Sequence, residues 1–119
     1  MLSKNQILER LEQMAFLMDI AGENPFKIKA YKNAIDAIEQ SSENLAELSA
    51  EQRLTEIKGI GKGIAAFITE CLETGTSQEL ETIKLNYPIS LFELKKISGL
   101  GAKKIQNLFQ TLGIASISE

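Results

Sequence analysis

The chain has 119 residues, 44% of them hydrophobic, and a formal net charge of −3 at pH 7. That is enough for one domain with a real core, or two very small ones packed together, and it is not the global basicity of a strong nucleic-acid binder. The absence of histidine excludes His-liganded metal sites and Ser-His or Cys-His catalysis, and the single cysteine, Cys71, excludes an internal disulfide.

Almost the whole chain reads as helix. Ser3 with Gln6 forms a capping box, and Ile7, Leu8, Leu11, Met14, Ala15 and Met18 recur at helical spacing until Gly22 stops the run. The apolar stretch "MAFLMDIAG" is broken by Asp19 and too short for a bilayer, and it lacks the flanks of a signal peptide. Asn24-Pro25 is an N-cap followed by proline at the first helical position, with Phe26, Ala30, Ala34, Ala37 and Ile38 as an apolar stripe to about Glu39. A short helix over 45–48 and another over 50–57 are expected next. Gly63 to Glu73 is helical and ends at Gly75, and Ser77 to Asn86 makes a further helix closed by Tyr87-Pro88. Ser90 with Glu93 is another capping box. Ala102 to Leu112 is the last complete helix, with Gly113 as its stop. No stretch alternates with period two, so the predicted fold class is all-α. Cys71 falls within a helix and reads as a small buried apolar residue, in keeping with a reducing cytoplasm. Phe16, Phe26, Phe67, Phe92 and Phe109 lie on different helices and read as core, as do Met14 and Met18.

Charge is uneven. Lys95, Lys96, Lys103 and Lys104 follow Glu93 with no further acid before Glu119, and Lys27, Lys29 and Lys32 sit between Glu23 and Asp36. The second feature is a duplicated glycine cluster. "LTEIKGIG" (54–61) aligns with "LKKISGLG" (94–101), and Ala65 and Ile105 then fall at matching places in the following helices. Two copies are too few for a solenoid. "GIGKG" lacks the spacing of a P-loop and its Ser/Thr, and no strand precedes it.

The device has a physical logic. A helix ends on an apolar residue, glycine supplies a tight turn, and the next helix starts with N–H groups that have no intrahelical partner. Gly59, Gly61 and Gly63 in the first copy, and Gly99, Gly101 and Ala102 in the second, keep bulk away from those donors, so a phosphate can approach. Lys62, and Lys103 with Lys104, stand beside the two turns to add charge-assisted contacts. Lysines at a helix start oppose its dipole, which makes a phosphate partner for Lys103 and Lys104 more reasonable. The outcome is sequence-independent phosphate binding. A tight helix–helix corner without any ligand is the plainer alternative.

The order "GENPFKIKAYKNAIDAIE", "LTEIKGIGKGIA", "LETG", "LFELKKISGLGAKKIQNLFQTLGI" resembles the N-terminal region of family X DNA polymerases, especially the bacterial branch, with two helix-hairpin-helix motifs. The resemblance implies a lyase-like helical domain over 1–75, with the first hairpin at about 50–74, and a linker helix with a second hairpin (about 90–113) over 76–119. It implies binding of gapped or nicked DNA and its 5′-phosphate ends in DNA repair, with Lys27 and Tyr31 as 5′-phosphate contacts on one helix face. The alternative for these two is a snorkelling lysine and a half-buried core tyrosine. It also implies that backbone carbonyls of Thr55, Ile57 and Ile60, and of Lys95, Ile97 and Leu100, can hold a monovalent cation, Na+ or K+; no cofactor is otherwise required. The family's catalytic aspartates lie in a palm domain beyond the hairpins, so no polymerase centre is expected here, and "LGIASISE" reads as a further helix, capped by Ser116, that packs in a longer chain. Phe67 stands where the family's lyase carries its Schiff-base lysine, and Gly63 where animal relatives have another phosphate-binding lysine. The expectation is therefore a DNA-binding module and not an enzyme. Lyase chemistry through another amine, such as Lys62, and a protein-interaction module without DNA binding are the alternatives.

Overall fold

The computed structural model describes residues 2–87 and 91–93, together with 96, 101, 104, 105 and 107. All regular structure among them is helical: α1 (Lys4–Ala21), α2 (Pro25–Gln40), α3 (Leu45–Ala50), a 3-10 turn (Leu54–Glu56), α4 (Lys62–Thr74) and α5 (Gln78–Asn86). Among these residues no helix is long and apolar enough to cross a membrane.

Helix α1 is the hub. Ser3 and Gln6 close the expected capping box, the Gln6 amide donating to Ser3 Oγ at 3.2 Å and the Ser3 amide to Gln6 Oε1 at 2.8 Å. Gly22 ends the helix in the left-handed region, φ 75°, with the Glu23 amide reaching back to the Met18 carbonyl at 3.0 Å. Gln13 to Met18 are buried without interruption, because α2, α4 and α5 all pack on this helix. A single apolar stripe understates such an element; a helix covered on several sides is apolar nearly all round.

Helix α2 corrects one expectation. Its cap is as predicted, with Asn24 Oδ1 accepting from the Phe26 amide at 2.8 Å. The buried stripe, however, is Ile28, Tyr31, Ala34 and Ile38, while Ala30 is exposed and Phe26 is 81% exposed. Pro25 and the cap fix where the helix begins, and that phase turns Phe26 outward, so it is not core. Phe16 and Phe67 are core as expected, and Phe92 packs edge-to-face on Phe16 with centroids 5.6 Å apart. Phe109 lies outside the described residues.

The helix predicted over 50–57 does not form. α3 runs on to Ala50 and stops in a Schellman arrangement: Gln52 takes φ 57° and the Arg53 amide donates to the Leu48 carbonyl at 2.7 Å. A glycine at 52 would have announced this stop; glutamine hid it. Arg53 then clasps the corner, bonding Glu51 at 2.7 Å and Glu56 at 3.0 Å, and only a short 3-10 turn remains to bury Leu54. α4 and α5 form as expected, with Gly75 at φ 89° and Ser77 Oγ accepting from the Leu80 amide. Arg10 of α1 donates to the Gly75 carbonyl at 3.2 Å, tying the α4–α5 corner to the hub. Cys71 is fully buried, and burial pushes its thiol up to about 11. Glu93 is helical, whereas its expected cap Ser90 and most of the helix predicted over 102–112 lie outside the described residues, as do Gly113 and Ser116.

Left-handed backbone costs a residue with a Cβ about 1 kcal/mol, partly offset by the extra freedom glycine has when unfolded. Gln52→Gly should therefore raise the unfolding free energy by about 0.5 kcal/mol, measured by urea titration.

Candidate nucleic-acid interface

The first hairpin turns over Ile57–Ile60, closed by the Ile60 amide donating to the Ile57 carbonyl at 3.1 Å. Ile60 is buried and Ile57 half-buried, so the apolar residues of the turn anchor it while Lys58 and Lys62 are exposed. Gly59 takes φ 105°, and a Cβ there would lie 3.1 Å from Ala37 Cβ and 3.5 Å from the Asn33 carbonyl. The fold itself demands this glycine, because the turn is pressed against α2.

Gly61 and Gly63 differ. Neither has positive φ, and a Cβ on either would meet nothing within 4 Å. Gly61 caps α4 without any side-chain hydrogen bond, and the first helical bond runs from the Ala65 amide to the Gly61 carbonyl at 2.9 Å. The amides of Lys62, Gly63 and Ile64 are thus left without intrahelical acceptors, beneath an open surface at the positive end of the helix dipole. The described residues of the second glycine cluster match. The Ile105 amide donates to the Gly101 carbonyl at 3.1 Å, Gly101 has the same open space, Ile105 is buried and Lys104 is exposed. Gly99, Ala102 and Lys103, and the carbonyl candidates Lys95, Ile97 and Leu100, lie outside the described residues. Lys96 stands 5.7 Å over the Phe92 ring, a cation–π contact.

Lys27 and Tyr31 come together, and on an anion. Lys27 Nζ lies 3.0 Å from Glu79 Oε2, and Tyr31 OH donates to Glu79 Oε1 at 2.9 Å. Glu79, in the first turn of α5, was not anticipated; nothing in its local sequence links it to α2. The Tyr31 ring is itself held edge-to-face by Phe67, centroids 5.3 Å apart and planes at 89°. Phe67 is buried, so the position expected to lack a nucleophilic amine is occupied by a packed hydrocarbon ring. Partial burial pulls the Glu79 carboxyl upward, but the hydrogen bonds from Lys27 and Tyr31 and the Lys27 charge outweigh it and hold it below its usual range. Burial first, then the bond to Glu79 and its charge, push the Tyr31 hydroxyl well above the usual range.

A family model described as a helix-hairpin-helix domain matches residues 3–77, from the α1 cap through the first hairpin to the α5 cap. The chain belongs to the helix-hairpin-helix domain family. It is also 39% identical over 111 residues to the DNA polymerase/3′-5′ exonuclease PolX of Bacillus subtilis (strain 168), an alignment covering 93% of this chain and 19% of that protein. The resemblance to family X polymerases read from the motifs is thereby borne out. The chain spans about a fifth of that relative's length.

Two outcomes are expected. Gly59→Ala should cost about 2 kcal/mol in urea unfolding, from backbone strain and the Ala37 contact. A double-mutant cycle with Ala37→Gly, which alone costs about 1 kcal/mol in the helix, should return only the packing part as coupling. For Glu79, whose folded-state carboxyl is depressed, the stabilisation is present above its unfolded pKa and lost as pH falls through the folded value. Because the pair is half-exposed, Glu79→Gln should cost under about 1 kcal/mol at pH 7. That difference should begin to shrink as pH falls past the ordinary glutamate value of about 4.3 and vanish only below the depressed folded value, read by thermal melts across the acid range.

Proposed function

We propose that this chain binds DNA without reading its sequence, through two helix-hairpin-helix clamps on the phosphate backbone, and that it favours gapped or nicked DNA carrying a 5′-phosphate. The observation that carries the reading is the open space over Gly61, Gly63 and Gly101. Gly63 sits inside α4, where glycine costs up to about 1 kcal/mol against alanine. Neither backbone angle nor packing calls for it, whereas a phosphate approaching the bare amides of the first turn does. A corner of the fold without a ligand needs Gly59 and nothing more.

Lys58, Lys62 and Lys104 supply charge around the two turns, and Lys27 with Tyr31 is the seat for the 5′-phosphate. Backbone carbonyls of Thr55, Ile57 and Ile60 would hold Na+ or K+ beneath the phosphate. Their fit is supported by the turn itself: the Ile57 carbonyl spends one lone pair on the Ile60 amide and keeps the other. A bound cation would supply positive charge facing the DNA backbone. The similarity to PolX supports a place for this region within a DNA repair polymerase acting in the cytoplasm, with the remaining polymerase domains as partners. Phe67 argues against Schiff-base lyase chemistry at the family's position, and borohydride trapping on an abasic substrate tests for another amine.

The decisive variant is Gly61→Asp. Aspartate is among the best N-caps and complements the dipole, so thermal stability should hold or rise by up to about 1 kcal/mol. Its carboxylate would also cap the free amides and repel phosphate, so affinity for a labelled gapped duplex should fall at least about tenfold. Lys62→Ala should lessen the slope of log affinity against log salt by about 1. Binding that is absent at low salt would favour a protein-interaction module instead.

A further inference from the structure

The Lys27–Tyr31 pair is a receptor for a two-oxygen anion, and it already holds one. Lys27 donates to one oxygen of Glu79 and Tyr31 to the other, at 3.0 and 2.9 Å. Tyr31 is fixed beneath by the Phe67 ring, so its hydroxyl cannot easily turn elsewhere. The carboxylate and the ammonium are 48% and 44% exposed, so the Lys27 arm is an exchangeable contact and not a sealed one, whereas Tyr31 is buried and offers the seat only its hydroxyl. Beside it opens a shallow cleft of about 300 Å³ between the start of α2 and α5, bordered by Glu23, Thr82, Asn86 and Tyr87.

We propose that Glu79 is a resident competitor for the phosphate seat, occupying Lys27 and Tyr31 until a terminal phosphate displaces it through this cleft. This rests on the reading of Lys27 and Tyr31 as 5′-phosphate contacts. A terminal phosphomonoester carries a charge of about −1.5 to −2 at pH 7 and three acceptor oxygens. An internal phosphodiester carries a single charge, no more than the carboxylate it would have to expel. The competitor therefore biases the seat towards DNA ends and against uninterrupted backbone, which the hairpins bind through bare amides instead. Glu79 is a specificity-determining residue on these terms: it makes no lasting contact with DNA, and its own charge sets which phosphates enter.

The test compares wild type, Glu79→Gln and Lys27→Ala/Glu79→Gln as full chains, titrated with labelled gapped duplexes ending in a 5′-phosphate or a 5′-hydroxyl. Glu79→Gln should tighten binding of the 5′-phosphate duplex about tenfold, the scale of one charge-assisted hydrogen bond, and that of the 5′-hydroxyl duplex by less than about threefold, as expected of a screened surface charge. Lys27→Ala in the same background should abolish the selective gain. An equal rise on both duplexes, or none, would overturn the competitor while leaving DNA binding by the hairpins intact. Loss of salt-sensitive binding by the wild type would overturn the DNA-binding reading, and this proposal with it. A measurement on the unaltered chain guards against a variant that folds poorly. The ¹³C carboxyl resonance of Glu79 should move on titration with the 5′-phosphate duplex and stay with the 5′-hydroxyl one; a resonance that ignores both would refute displacement.

Discussion

The turn over Ile57–Ile60 lies so close to α2 that a Cβ at Gly59 would press on Ala37 at 3.1 Å, and much of the molecule follows from that approach. Gly59 makes it possible, Ala37 sets its limit, and Ile60 is buried in the process. Once the turn is pressed there, α4 must start at Lys62 and run back across α1 and α2, which carries Phe67 onto the ring of Tyr31. The hairpin and the Lys27–Tyr31 pair thus have a fixed relation, though they are distant in the chain. A phosphate-binding loop on a mobile tether could not offer this. Here the bare amides are aimed by a packed core, so their orientation is settled before any ligand arrives.

The three glycines of the first cluster divide into two kinds. Gly59 answers a constraint inside the protein, whereas Gly61 and Gly63 answer none that the fold imposes. Sequence alone presents them as one motif, and only the fold separates the residue that shapes the turn from those that keep its surface clear. Gly101 in the second copy is of the second kind, and its first helical hydrogen bond repeats that of Gly61.

Local signals were readable wherever they were carried by residues with one job. The caps at Ser3, Asn24 and Ser77 and the stops at Gly22 and Gly75 all formed as the sequence implied, because each acts within a few residues of itself. Gln52 broke that rule, since a left-handed stop without glycine leaves no mark in the sequence. Phe26 misled for a different reason: hydrophobic character does not reveal helix phase when two registers differ by a fraction of a turn. Glu79 was invisible because its partners are supplied by tertiary structure, across 52 and 48 residues of chain. The candidate hairpin was therefore legible, while the anion already seated beside it was not.

Phe67 carries a consequence for how such a module can change over evolutionary time. A lysine placed there by a single substitution would put an ammonium where a ring now packs, and would withdraw the edge-to-face support from Tyr31. A buried cation without a partner is strongly disfavoured unless it gives up its proton. Glu79, the carboxylate bonded to Tyr31, is already engaged by two donors. A lysine at this position is therefore unfavourable unless its surroundings change with it. The buried ring at this position thus serves the packing of Tyr31 and leaves no room there for a free ammonium.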